Sequence, residues 1–212
     1  MSAPVLHYLY DPLCGWCYGA APLVAAARGI VAVRPHGGGM MSGSGRQQVT
    51  PQLRDYVMQH DRRIAALTGQ FFGDAYFDDL LRDSAAVFDS EPPIAAMLAA
   101  ERLAGRGLDL VERLQVAHYV EGRRIAETST LLAAAVAIGL DPDAFAGALA
   151  EQRGEPVHRH IRETRHFMSQ VGADGFPSFV LESGGTRRLL DLSAFLECPG
   201  ALPDWLRSTL SP

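Results

Sequence analysis

The chain has 212 residues, 24 acidic and 19 basic side chains, and a formal net charge of −5. With 48% of it apolar, whole-chain disorder is excluded, and at about 150 residues per domain the length gives one to two domains. Mild acidity without an arginine run speaks against a nucleic-acid partner, and no stretch reaches the roughly 18 uninterrupted apolar residues of a membrane span.

All the basic residues are arginine; lysine and asparagine are absent. That excludes Schiff-base catalysis, the phosphate loop ending in Gly-Lys-Ser/Thr, and a Cys–His–Asn triad. The opening MSAPVLHYLYDP has no basic segment followed by an apolar one, so no secretory leader is expected and a reducing cytoplasm is the default location. Three cysteines do not make a disulfide scaffold.

In chain order, residues 4–10 read as a strand that ends at the turn signal Asp11-Pro12. Residues 15–28 read as a helix ended by Gly29, and Ile30 to Val33 as a second strand closed by Arg34-Pro35. His36 to Gly45 is a glycine-rich connection, flexible or tightly turned, without the order of a nucleotide cradle. From residue 50 to 172 the pattern is helical. Thr50-Pro51 and Asp141-Pro142 pair a cap with a proline at the first helical position. Leu53, Tyr56, Val57, His60, Ile64 and Leu67 fall on one helix face. Ser90-Glu91-Pro92-Pro93 starts another helix, and Val157, Ile161, Thr164, Met168 and Val171 make a long stripe that ends at Gly172. Two strands then flank Ser183-Gly184-Gly185-Thr186, a hairpin signal. Helices near 193–197 and 203–209 finish the chain.

The order is β-α-β, a helical block, then β-β-α. The expected architecture is an α/β fold with one sheet, interrupted by a large α-helical insertion. The expected segments are 1–45 and 173–212 for the two parts of the sheet domain and 46–172 for the inserted subdomain.

Cys14-Gly15-Trp16-Cys17 lies between the first strand and the first helix. At this spacing both sulfurs sit in one helical turn, within reach of a disulfide. The free N–H groups and positive dipole end of the helix favour a thiolate at Cys14. Such a thiolate attacks a disulfide, and the second cysteine resolves the mixed disulfide. The competing readings are half of a zinc site, which lacks a second ligand pair, and two structural thiols. Cys198 reads as a lone thiol, buried or half exposed, and His7 as a packed side chain in the first strand.

With CGWC at the helix start, Pro22 eight residues after Cys14, and Gly175-Phe176-Pro177-Ser178 before the third strand, the chain resembles the thioredoxin-fold superfamily, and within it the DsbA family. The inserted helical block is similar to that of the cytoplasmic FrnE-like and protein-disulfide-isomerase branches, of 2-hydroxychromene-2-carboxylate isomerases and of kappa-class glutathione transferases. The resemblance implies a thioredoxin fold and a thiol–disulfide oxidoreductase. Cys14 is then the exposed nucleophile, Cys17 the buried resolving thiol, and Pro177 a cis-proline facing them. Phe176 offers backbone to an extended peptide, and Trp16 is a candidate substrate contact. Protein or peptide disulfides are the implied partners, for a monomer or homodimer. No resident cofactor or metal is implied, and glutathione is a candidate co-substrate.

Two departures matter. Tyr8 stands where many relatives carry a buried acid, and Gly-Trp lacks the histidine that stabilises the first thiolate in strong oxidants. The first leaves proton transfer from Cys17 to water or another group; from the second, a couple less oxidising than that of periplasmic relatives is expected. Two alternatives differ in class: a glutathione-dependent transferase or isomerase on small aromatic substrates, and a non-catalytic peptide-binding or holdase module.

Overall fold

A computed structural model describes residues 3–211. The first strand, β1 (Val5–Tyr10), runs through the middle of a four-stranded sheet. Its alternation of aromatic and aliphatic residues is buried almost throughout, as a strand covered on both faces requires. Helices α1 (Gly15–Gly19) and α2 (Ala21–Arg28) follow, then β2 (Ala32–Gly37), parallel to β1. After the insertion, β5 (Ser178–Ser183) pairs antiparallel with β1, and β6 (Thr186–Leu189) pairs with β5. The strand order is β2-β1-β5-β6. Two last helices, α9 (Ser193–Leu196) and α10 (Ala201–Leu210), close the chain, with α10 packed on α2.

Between β2 and β5 come α3 (Pro51–Thr68), α4 (Glu91–Ala104), α5 (Gly107–Tyr119), α6 (Thr128–Ala137), α7 (Pro142–Gln152) and α8 (Glu155–Val171). The two cap-plus-proline starts form as expected: Thr50 accepts from the Leu53 N–H at 3.1 Å, and Asp141 from the Ala144 N–H at 2.8 Å. Helix α4 packs on α5 and α7, and α8 lies against β2 and β6. One apolar core runs from the sheet into the inserted helices, with Leu6, Tyr10, Ile94, Tyr119, Phe145 and Phe179 all essentially inaccessible. Each such side chain contributes roughly 1.5–3 kcal/mol of burial.

Four expectations need correction. The segment 15–28 is two helices, not one: Pro22 has no N–H to donate, and the chain breaks just before it, at Ala20. Strand β2 passes through Arg34-Pro35 to Gly37, because an edge strand tolerates a proline that a central one would not. A second, two-stranded sheet joins β3 (Gln47–Gln48) to β4 (Val87–Phe88), pairs too short to leave a sequence pattern. Cys198 is exposed, neither buried nor half buried, since it falls in the turn between α9 and α10.

The glycine-rich connection is packed rather than free. Gly37 lies against Ile94, and a methyl group at Gly38 would sit 2.0 Å from the Phe176 ring. Arg165 of α8 holds this bend by donating to the Gly38 and Gly39 carbonyls, at 2.9 and 2.5 Å. On the edge of β2, the Gly37 N–H donates to His160 of α8 at 3.0 Å.

Candidate active site

Cys14 caps the N-terminus of α1, and its carbonyl accepts from the Cys17 and Tyr18 N–H groups at 2.9 and 3.2 Å. Both cysteines are thiols, with their side chains in hydrogen-bond contact. Cys17 is fully buried, while Cys14 is 7% exposed. The expectation of an exposed nucleophile is therefore corrected: Cys14 is buried and lines a cavity. Cover comes from the far end of the chain, where the Cys14 thiol donates to the Phe176 carbonyl at 3.4 Å. The Phe176–Pro177 peptide is cis. Residues 14, 17, 176 and 177 thus meet at one place. Trp16, half buried, lies beside Cys14 on the wall of a cavity that Cys17, Phe176 and Pro177 do not line.

That cavity holds about 620 Å³ between α1 and α3. Cys14, Gly15 and Trp16 form one wall; Leu53, Val57 and Asp61 of α3 face them, with Met40, Met41 and Phe88 at the side. No arginine lines it among the described residues. Another pocket, of about 410 Å³, is lined by His36, His160 and Glu163 and by neither thiol.

Behind the pair lies an acid that sequence reading took only for a turn. The Asp11 N–H donates to Cys17 Sγ at 3.4 Å. Its carboxyl Oδ1 accepts from the Leu13 N–H at 2.9 Å and from the Ser90 hydroxyl at 2.9 Å; Oδ2 accepts from the Met40 N–H at 2.5 Å. Burial raises the Asp11 carboxyl, and those three donors hold it down. Acceptor-only use of both oxygens is the pattern of a carboxylate. Ser90 also accepts from the Met41 N–H at 3.1 Å, so it braces the wall of the site and makes no side-chain cap for α4.

Burial pushes the Cys17 thiol well up; its contact with Cys14 and the charge of Asp11 push the same way. Tyr8, at the position of the missing acid, donates to the Cys17 carbonyl at 3.1 Å and is itself driven far up by burial. It accepts no proton from the dithiol. A second acid, Asp61, was also missed. It is 4% exposed, takes a 2.7 Å hydrogen bond from Tyr76, and burial raises it to about 7. One signal could have found it: Val57, Asp61 and Ile64 share a helix face at spacings of four and three, which puts an acid inside an apolar stripe.

His7 packs between His36 and Phe167, with Nδ1 2.9 Å from His36 Nε2, as a packed side chain would. Among the described residues, no group of three or more histidine, cysteine or acidic side chains is arranged to hold a metal ion. Among the described residues, no helix is long and apolar enough to cross a membrane.

Comparison with known proteins places this geometry in context. The family model of the DSBA-like thioredoxin domain matches residues 5–196. No curated protein matches the chain. Among solved structures, the cytosolic disulfide reductase DsbM from Pseudomonas aeruginosa is 53% identical, with a TM-score of 0.92 over 97% of this chain and 98% of that one. A structure of DsbM with GSH aligns at 50% identity and a TM-score of 0.90, over 97% and 98% of the two chains. A 2-hydroxychromene-2-carboxylate isomerase, 17% identical with a TM-score of 0.58 over 98% of this chain and all of its own, shares the fold.

Proposed function

Because the chain belongs to the DSBA-like thioredoxin domain family, we propose that it works as a cytoplasmic disulfide reductase that draws its electrons from glutathione. It is a thiol–disulfide oxidoreductase that exchanges disulfides through Cys14 and Cys17. The direction, the electron donor and the compartment rest on the likeness to DsbM, which is described as a cytosolic disulfide reductase and has a structure with GSH.

The physical support for the direction is the environment of Cys17. Nothing cationic stabilises a thiolate there, and the Asp11 charge opposes one. A dithiol whose thiolates are poorly stabilised gives up its electrons readily.

In this reading Cys14 attacks one sulfur of a substrate disulfide, and the other sulfur leaves with the bonding electron pair and takes a proton. Cys17 then loses its proton and attacks Cys14 Sγ. The second substrate sulfur departs and takes up one proton, so the pair ends as a disulfide and the substrate as two thiols. Two glutathione molecules restore the dithiol and become glutathione disulfide. Phe176 lends its backbone to the extended substrate beside Pro177, and Trp16 offers an apolar wall to its side chains.

The observation that carries the reading is the 3.4 Å contact from Cys14 Sγ to the Phe176 carbonyl, which sets the nucleophile against the substrate-pairing backbone. Insulin-disulfide reduction tests it. Cys14→Ser should abolish turnover, and Cys17→Ser should accumulate a mixed disulfide with substrate or glutathione. A reduction potential near thioredoxin's, about −270 mV, is expected in a glutathione buffer, whereas one near −120 mV would reverse the direction. Unchanged activity in Cys14→Ser would reject the assignment outright.

A further inference from the structure

Asp61 is an acid on a helix face that otherwise packs. Its Oδ2 is engaged by Tyr76 at 2.7 Å. Oδ1 takes no protein donor among the described residues and faces the CGWC turn so closely that a methyl group on Gly15 would sit 2.2 Å from it. The side chain lines the same cavity as Cys14. The titratable groups around it are Cys14 at the cap of α1, Tyr76 on the helical turn of residues 75–79, Tyr119 on α5, and Tyr56 and His60 on α3 itself. Among the described residues, no arginine lines the cavity to fix the carboxyl as an anion.

We propose that Asp61 is a general acid of the exchange reaction, delivering a proton to the substrate sulfur that leaves when Cys14 attacks. This deepens the oxidoreductase reading and rests on it. The Cys14 thiolate forms a bond to one sulfur of R–S–S–R′. The S–S bond breaks, leaving its electron pair on the sulfur of R′. The Asp61 O–H proton passes to that sulfur, giving R′–SH and the Asp61 carboxylate, which regains a proton from water at the cavity mouth. The substrate disulfide is the oxidant and the enzyme dithiol the reductant, so no further reagent is needed.

The chemistry asks for such a group. Exchange slows as the leaving thiol becomes more basic, and the thiols of proteins and peptides are basic alkyl thiols. An acid near neutrality is the right strength to protonate them at physiological pH. The buried cavity supplies one: burial brings the Asp61 carboxyl up to about 7, and the Tyr76 hydrogen bond limits the rise.

The test compares leaving groups. Single-turnover oxidation of the reduced enzyme is followed with bis(hydroxyethyl) disulfide, whose leaving thiol is basic, and with a dipyridyl disulfide, whose leaving thiol is not. Asp61→Asn, which keeps an acceptor for Tyr76, should slow the alkyl probe about 100-fold and barely change the pyridyl one. The wild-type ratio of the alkyl rate to the pyridyl rate should also fall above pH 7, and that limb should vanish in Asp61→Asn.

Tyr76→Phe should keep the limb but move it to higher pH. This arm decides the matter if Asp61→Asn does not fold. Equal losses on both probes, an unchanged alkyl rate, or a limb that ignores Tyr76→Phe would overturn the proposal. Failure of the oxidoreductase reading looks different, because then the wild type itself reacts with both probes no faster than an ordinary free thiol.

Discussion

Asp11 carries more of the site than its place in a turn suggests. It ties three segments together: its own through Leu13, the glycine-rich bend at Met40, and the start of α4 through Ser90. Its charge also lies beside Cys17 and raises that thiol. Replacing it by asparagine removes the charge and one strong acceptor but keeps the volume. The expected outcome is a potential shifted upward by about 30 mV, equal to about 1.4 kcal/mol for a two-electron couple, read from equilibrium with a glutathione buffer. A loss of roughly 1–3 kcal/mol of stability should accompany it, read from urea unfolding, because buried donors lose their acceptor. A potential that stays put would mean the Asp11 charge does not reach the dithiol. The motif itself was legible because CGWC and Pro177 are local signals. Asp11 was not, since its partners lie up to 79 residues away and only folding gathers them.

At the scale of the elements, the contact of α1 with α3 fixes the floor of the cavity. Gly15 and Gly19 face α3, and added methyl groups would sit 3.0 Å from Ile64 Cδ1 and 2.7 Å from Ile64 Cγ2. Both glycines are therefore places of close approach, which is a reason to keep glycine inside a helix that alanine would otherwise favour. Gly15→Ala should cost about 1 kcal/mol or more in urea unfolding, because the clash at Asp61 Oδ1 outweighs the gain in helix propensity. A stabilised Gly15→Ala variant would show that the two helices have room to spare. The expected helical block and hairpin were readable from period and turn chemistry. The face of α3 was only half read. Tyr56 and Leu67, counted with the apolar stripe, are 62% and 38% exposed, whereas Asp61, left out of it, is buried. Hydropathy ranks residues by type, and the cavity inverts that ranking at Asp61.

For the molecule as a whole, pH dependence follows from what is buried. Burial lowers His7 and His160, His36 to about 3 and His118 to about 4. Such histidines stay neutral in the folded chain but take protons when it unfolds. Their cost to stability is absent above the unfolded value near 6.5 and grows as pH falls below it. His36 and His118 together should cost about 4 kcal/mol between pH 7.5 and 5. Asp61 acts in the opposite sense: with a folded value near 7, it binds its proton earlier when folded and returns about 2.5 kcal/mol over that range. The urea midpoint should therefore drop modestly on acidification in the wild type and more steeply in Asp61→Asn. Equal slopes in the two proteins would contradict the raised carboxyl of Asp61.

The contact between Cys14 and Phe176 spans 162 residues. A ribosome must therefore release most of the chain before the reactive sulfur meets its backbone partner. Until then the emerging polypeptide carries two ordinary thiols with no shaped cleft around them. The pair thus gains its backbone partner only after most of the polypeptide has been synthesised.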